Sequence, residues 1–163
     1  MTITLADFDN LVANYASEIH QYLWRMLQDP QDAEDVLQES FLRALQAYPR
    51  LAPDSNPRAW LYKIASNAAR TRLKQRARYI QQNQELAPER NSTPGSSHDH
   101  LIRLAMRQAV ETLPDKQRIS LLLRYYQGLE FAEIGEILAC SPEAARANLS
   151  QAIRKLRRML TEE

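Results

Sequence analysis

The segment Phe131-Ala-Glu-Ile-Gly-Glu-Ile-Leu-Ala-Cys-Ser-Pro-Glu-Ala-Ala-Arg-Ala-Asn-Leu149 decides the fold. Ile134, Ile137 and Leu138 give a short helix over 131–138 an inner face. Gly135 has no side chain, so a second helix can approach the first closely. Ser141 can cap that second helix, which runs over about 142–160, and Pro142 suits its first position because no amide partner is needed there. Ala145, Leu149, Ala152, Ile153, Leu156 and Leu160 then face inward, leaving Glu143, Arg146, Ala147, Ser150 and Arg154 on one outer stripe. This is a helix-turn-helix pattern, in which the second helix presents such a stripe to the major groove. The competing reading is an ordinary helical hairpin inside a bundle. The basic tail, Arg154, Lys155, Arg157 and Arg158, favours the first, since it adds phosphate contacts without sequence preference.

Upstream of this motif a helix is expected over 99–113, and Pro114 opens another that ends at Gly128. Further back, Gln81-Gln82-Asn83-Gln84 and Asn91-Ser92-Thr93-Pro94-Gly95-Ser96-Ser97 bury little apolar surface and contain helix breakers, so 79–98 reads as a linker. The first half opens with helical character from Leu5 to Leu27, as one helix or two, with Phe8, Leu11, Tyr15, Ile19, Leu23 and Leu27 near one face. Asp29-Pro30 ends it. Over 31–48, Ala33, Val36, Leu37, Phe41, Ala44, Leu45 and Tyr48 recur at steps of three and four, leaving Asp35, Gln38, Glu39 and Arg43 outside. Pro49 stops this helix, residues 50–56 form a loop, and Pro57 opens a third helix running to about Arg78. The expected fold is all-α: two small helical domains, 1–78 and 99–163, joined by a flexible linker, the second containing the helix-turn-helix. Each half has only about 65 to 80 residues, so each core is small.

Three glycines in 163 residues, against abundant Ala, Leu, Gln and Arg, agree with helix over sheet. The net charge of +1 hides a sorting of charge along the chain. Asp29, Asp32, Glu34, Asp35 and Glu39 form a block without a base. Arg58, Lys63, Arg70, Arg72, Lys74, Arg76 and Arg78 form one without an acid, and the C-terminal basic stretch is a third block. Solvated helix faces account for any one of these; three sorted blocks point to a polyanion for the basic ones and a basic protein surface for the acidic one. Lys63, Asn67, Arg70 and Lys74 step by four, three and four and share one helix face. An amide among cations suits base-edge hydrogen bonding flanked by phosphate contacts. Trp60, Leu61, Ile64 and Ala68 pack elsewhere, with Trp60 read as core rather than stacking platform and Tyr62 left open.

In this order the motifs resemble the extracytoplasmic-function group of sigma factors. Asp32-Ala-Glu-Asp-Val-Leu-Gln-Glu-Ser-Phe-Leu-Arg-Ala44 is similar to the family's region 2.2. Pro57-Arg-Ala-Trp-Leu-Tyr-Lys-Ile-Ala-Ser-Asn-Ala-Ala-Arg-Thr-Arg-Leu73 is similar to regions 2.3 and 2.4. Leu113-Pro-Asp-Lys-Gln-Arg118 with the helix-turn-helix is similar to region 4. The resemblance implies a sigma factor, a non-catalytic initiation subunit that directs core RNA polymerase to chosen promoters. Asp32, Asp35, Gln38 and Glu39 would dock on the polymerase clamp. Ser55, Asn56, Arg58, Lys63, Asn67, Arg70 and Lys74 would recognise and open the −10 element, with loop 51–56 holding a flipped base. Ser141, Glu143, Arg146, Ala147, Ser150 and Arg154 would read the −35 element. Implied partners are core RNA polymerase, double-stranded and melted promoter DNA, and an anti-sigma factor that covers the polymerase-binding surfaces. Asn148 and Gln151 stand where many members carry arginine, and Ala144 where threonine is common.

Other functions fit less well. A helix-turn-helix regulator acting as a dimer leaves the acidic helix without a purpose. A hydrolase finds no support, because His20, His98 and His100 are dispersed and neither a Gly-rich phosphate loop nor a nucleophile elbow is present. A metal site on the acidic helix lacks histidines, and helical spacing turns Asp32 and Glu34 apart, so no metal and no cofactor are expected. Cys140 is the sole cysteine, which precludes an intramolecular disulfide and reads as a small buried hydrophobe. No apolar run is long enough for a bilayer and Met1-Thr2-Ile3-Thr4 lacks a signal's basic start, so a cytoplasmic location without membrane insertion is expected.

Overall fold

The computed structural model describes residues 5–83 and 98–161. Among them are seven α-helices: α1 Leu5–Leu27, α2 Pro30–Ala47, α3 Pro57–Gln82, α4 His98–Glu111, α5 Asp115–Tyr125, α6 Phe131–Leu138 and α7 Pro142–Thr161, with a 3-10 turn at Tyr48–Arg50. None is long and apolar enough to cross a membrane. The boundaries follow local chemistry. Gln28 takes a left-handed φ of 53° and ends α1, which is one unbroken helix. Asp29 then caps α2, its carboxylate accepting the Asp32 amide at 2.9 Å, with Pro30 in the first position. Asn56 caps α3 in the same way, accepting the Ala59 amide at 3.1 Å ahead of Pro57. After α5, Gly128 adopts a φ of 68° and the Leu129 amide reaches back to the Leu123 carbonyl at 3.0 Å, a left-handed helix stop.

Several expectations shift. Helix α3 continues past Arg78 to Gln82, because Tyr79-Ile80-Gln81-Gln82 offers no breaker before Asn83. The rest of the expected linker, 84–97, lies outside the described residues. Leu45 and Leu160, expected inside, are 41 % exposed each. Leu160 sits on the last turn of α7, beyond its final buried residue, Leu156. Leu45 lies one turn from Leu42, which is more exposed still, on α2.

Within the first half, α1, α2 and α3 pack on one another. Helix α3 contributes small residues to this seam, Ala65, Ser66, Ala68 and Ala69, which let its backbone come close to its neighbours. The rings of Tyr22 and Tyr62 fill the centre edge to face, 5.4 Å between centroids. Both are fully buried, so each hydroxyl needs a partner. Tyr22 bonds the Ser66 hydroxyl at 2.7 Å, and Tyr62 accepts from the Gln127 amide at 2.7 Å. Ser66→Ala is expected to destabilise by about 1–3 kcal/mol, the cost of a buried hydroxyl left unpaired, read as a lower urea midpoint with unchanged slope.

The two halves are packed against each other rather than standing apart. One apolar cluster runs without a break from Phe8, Leu23 and Val36 through Tyr62 to Ile119, Leu123, Ile134 and Leu138. A smaller cluster joins Ala109, Leu113 and Leu121 to Leu149, Ala152 and Leu156 of α7. Polar groups cross the seam too. The guanidinium of Arg118, nearly buried on α5, donates to the Met26 carbonyl at the end of α1, and Arg76 of α3 donates to the next carbonyl, Leu27, at 2.9 Å. Two cations thus close the C-terminal end of one helix, where its dipole favours positive charge. Burial pulls Arg118 below its ordinary pKa, and Glu111 and Asp115 oppose that shift.

Candidate nucleic-acid and polymerase interface

The helix-turn-helix forms as the sequence predicts. Ala139 closes α6 in the left-handed region at φ 55°, and the Cys140 amide returns to the Gly135 carbonyl at 2.9 Å. A β-carbon at Gly135 would lie 2.6 Å from the Cys140 carbonyl oxygen, which explains the glycine by contact rather than by flexibility. The Ser141 hydroxyl accepts the Ala144 amide at 3.1 Å, so its role here is a cap. Glu143, Arg146, Ala147, Ser150 and Arg154 are all exposed along one side of α7. Arg146 lies 5.1 Å from the centre of the Phe131 ring, and Arg124 lies 4.8 Å from the same ring. Phe131 was not singled out in the sequence, and only tertiary packing reveals that its ring lies against the guanidinium of an exposed arginine on α7. Gln151 accepts a hydrogen bond from the buried Gln117 at 3.1 Å, which gives this departure from the family pattern a place in packing.

The four acidic-helix residues divide. Asp32 turns toward α3, where Arg72 binds one carboxylate oxygen at 2.8 Å and Arg76 the other. Its charge is spent inside the protein. Asp35 and Glu39 remain partly exposed and Gln38 is exposed; their contacts are short-range, Gln31 to Asp35 at 3.0 Å and Arg43 to Glu39. Steps of three, four and three place Asp35, Gln38, Leu42 and Leu45 on one stripe. The two leucines make this stripe part apolar, a feature missed because Leu45 fits the inner period equally well.

The third group divides as well. Lys63, Asn67 and Lys74 are exposed. Ser55 bonds the Ala52 carbonyl at 2.7 Å, and Ser55, Asn56, Trp60, Lys63 and Glu136 line an open cavity of about 470 Å³. Trp60 is half-buried against the core, 6.3 Å from the Tyr48 ring, as the core reading expects. Arg58 is committed: both nitrogens of its fork meet Glu18, at 3.0 and 2.9 Å, and it also donates to the Gln127 carbonyl at 3.0 Å. The Glu18 hydrogen bonds hold Arg58 above its ordinary pKa. Arg70 pairs with Asp115 at 3.2 Å. Asn56, while capping α3, donates to Glu133 at 3.2 Å.

Two packed helical halves, the second built around a helix-turn-helix with an exposed outer stripe on α7, define a helix-turn-helix protein. The model of sigma-70 region 2 matches residues 11–79, and that of sigma-70 region 4 matches residues 103–156. The RNA polymerase sigma factor CarQ of Myxococcus xanthus is 32 % identical over 158 residues, covering 95 % of this chain and 90 % of the relative. The ECF RNA polymerase sigma factor SigW of Bacillus subtilis is 28 % identical, covering 94 % and 88 %. Among solved structures, the sigma factor RpoE of Bartonella quintana, in complex with the anti-sigma factor NepR, shares the fold at TM-score 0.76 and 20 % identity, over 98 % of this chain and 99 % of that one. CnrH, solved with the cytosolic domain of CnrY, gives 0.72 at 24 % identity, over 96 % and 89 %. The chain belongs to the extracytoplasmic-function group of sigma-70 RNA polymerase sigma factors.

Proposed function

We propose that this sigma factor grips core RNA polymerase with the outward stripe of α2 and promoter DNA with α3 and α7, as a non-catalytic subunit working in the cytoplasm. Asp35 and Glu39 supply the charge of the docking stripe and Gln38 a neutral amide, with Leu42 and Leu45 as apolar anchors; such mixed patches suit protein interfaces. Lys63, Asn67 and Lys74, joined by Arg58 and Arg70, serve the −10 element, with the cavity beside Ser55 and Asn56 for a flipped base. The α7 stripe serves the −35 element. The observation that carries this reading is the separation of these surfaces: the acidic stripe and the recognition stripe lie on different helices of one packed body. An anti-sigma partner fits the same picture. The groove of about 380 Å³ among Trp24, Ile102, Met106 and Tyr126 is flanked by Arg25, Arg103 and Arg107, which suits an acidic amphipathic helix.

Co-purification with core polymerase at low salt, followed by factor-dependent run-off transcription, tests the reading; a chain that fails to bind core refutes it. For the recognition helix, Arg146→Ala is expected to relax discrimination at one −35 base pair by about 1–3 kcal/mol. Arg157→Ala, in the basic tail, should instead weaken all sequences alike. Competition between promoter variants separates the two effects.

A further inference from the structure

Two guanidiniums lie over or beside the ring of Phe131: Arg146 of α7 at 5.1 Å and Arg124 of α5 at 4.8 Å. They are held differently. Arg124 donates to the Leu129 carbonyl at 2.9 Å and pairs with Glu130 at 3.5 Å, so its charge is engaged by the segment that leads into α6. Arg146 is exposed, and among the described residues its guanidinium makes neither a hydrogen bond nor an ion pair. Glu143, three positions earlier on the same helix, is exposed as well and leaves Arg146 to the ring. A guanidinium near an aromatic face is attracted by the ring quadrupole, so Phe131 is what holds Arg146. The ring itself is well anchored. Phe131 is half-buried against both apolar clusters, and the capping box of Glu130 and Glu133 fixes the start of its helix.

We propose that Phe131 is a positioning residue for −35 recognition: its ring holds the Arg146 fork in one orientation, so that the base pair met by Arg146 is discriminated through two side chains, of which only one touches DNA. The proposal rests on the assignment of the α7 stripe to the −35 element. An arginine reads a base edge with two parallel N–H donors, so the plane of its fork matters as much as its place. A long exposed side chain loses rotamer freedom when DNA fixes it, and a contact that fixes it beforehand lowers that cost. A phosphate, by contrast, accepts a cation without regard to sequence. The ring therefore acts on the choice of base and little on the affinity common to all sequences. Arg124 serves the same end from the other side, because it ties down the residues that carry the ring into α6.

The test compares Phe131→Leu, Phe131→Tyr, Arg146→Ala and the double variant Phe131→Leu, Arg146→Ala with the wild type, each as full chain in holoenzyme. Competition between the promoter selected by the holoenzyme and its single −35 base-pair variants gives a discrimination ratio at each pair, from which any loss of folded protein cancels. Phe131→Leu keeps an apolar side chain on both clusters but removes the ring. It is expected to lower discrimination about two- to fivefold, the factor a partly exposed cation–ring contact is worth, at the base pair that Arg146→Ala affects and at no other. Phe131→Tyr should retain the wild-type ratio, and the double variant should be no worse than Arg146→Ala alone. An equal loss at every base pair, or additive losses in the double variant, overturns the positioning role. Nuclear magnetic resonance of the free proteins reads the contact without DNA. Cross-relaxation between the Phe131 ring protons and the Arg146 side chain is expected in the wild type, with an Arg146 Nε–H signal that moves in Phe131→Leu and stays in Phe131→Tyr. Their absence overturns the hold on Arg146, even if no variant folds. If Arg146→Ala changes no ratio, the −35 assignment of α7 fails and the recognition role of Phe131 with it, while the resonance data still decide whether the ring holds Arg146.

Discussion

Neutralising Asp35 and Glu39 together, as Asp35→Asn with Glu39→Gln, is expected to weaken capture by core polymerase about a hundredfold, on the order of 3 kcal/mol. The same double variant should unfold within about 0.5 kcal/mol of the wild type, since exposed substitutions away from special features change little. Asp32→Asn should do the reverse. It leaves Arg72 and Arg76 facing an amide in a site that is only about a fifth to a third exposed, between the surface and buried limits for ion pairs. A loss of about 1–3 kcal/mol of stability follows, with polymerase affinity unchanged once the folded fraction is counted. Urea unfolding and surface-immobilised core polymerase give the two readings. If Asp32→Asn lowers polymerase affinity without lowering stability, the division of the acidic helix drawn from its ion pairs is wrong. Leu42→Ala adds a control for the apolar part of the stripe: it should lose affinity by slower, salt-insensitive terms, because no charge is removed.

The sequence made some of this visible and hid the rest for identifiable reasons. Helical periodicity places a residue on a face, so the turn at Gly135, the cap at Ser141 and the open stripe from Glu143 to Arg154 could be read without coordinates. It does not say which partner a charged side chain finds across the fold. Asp32 shares its face with Asp35 and Glu39 by spacing, yet it is claimed by two arginines 40 and 44 positions away. Arg58 and Arg70 fit a phosphate and a carboxylate equally well, and only packing shows which one they hold here. Leu42 and Leu45 illustrate the same limit for apolar residues: α2 has more leucines than its inner face can cover, and periodicity alone cannot tell the surplus from the core. Phe131 carried no signal at all, because a ring at a helix start is ordinary and its value lies in the two guanidiniums beside it.

The close packing of the halves was also out of reach, since residues such as Ile119, Leu123 and Ile134 suit a core of either half alone or one shared between them. The polar complement to that packing was equally hidden, because nothing in the sequence tells which buried amide meets which partner. Gln127 is the clearest instance: buried at 9 % exposure on the second half, it donates to the Glu18 carbonyl at 2.9 Å and to the Tyr62 hydroxyl, both on the first. Its side-chain oxygen also lies 3.4 Å from Arg25. A glutamine with such a set of partners fixes the register of one half on the other more sharply than leucines do, because a slip of one turn would leave its amide buried and unpaired.

The tyrosines at the centre of the fold make the protein sensitive to alkali. Burial pushes the Tyr62 hydroxyl up to about 12, and burial raises Tyr22 further still. In the unfolded chain both phenols ionise near 10. Above that pH the unfolded state therefore binds fewer protons than the folded one, so stability is fully present below about 10 and falls as pH rises toward 12. Each phenol contributes a slope of about 1.4 kcal/mol per pH unit in that window. Together they remove about 5 kcal/mol, comparable to the whole stability of a domain of this size. Cooperative unfolding between pH 10 and 12 is the expected result, with phenolate absorbance appearing at the same pH as loss of helix. In Tyr22→Phe, Tyr62→Phe the protein should be weaker at neutral pH, because Ser66 and Gln127 lose their partners, yet its stability should fall less steeply with pH by about those two slopes. Exposed groups titrate alike in both proteins and cancel in the comparison. An unchanged slope in the double variant would show that the buried phenols are not what alkali attacks.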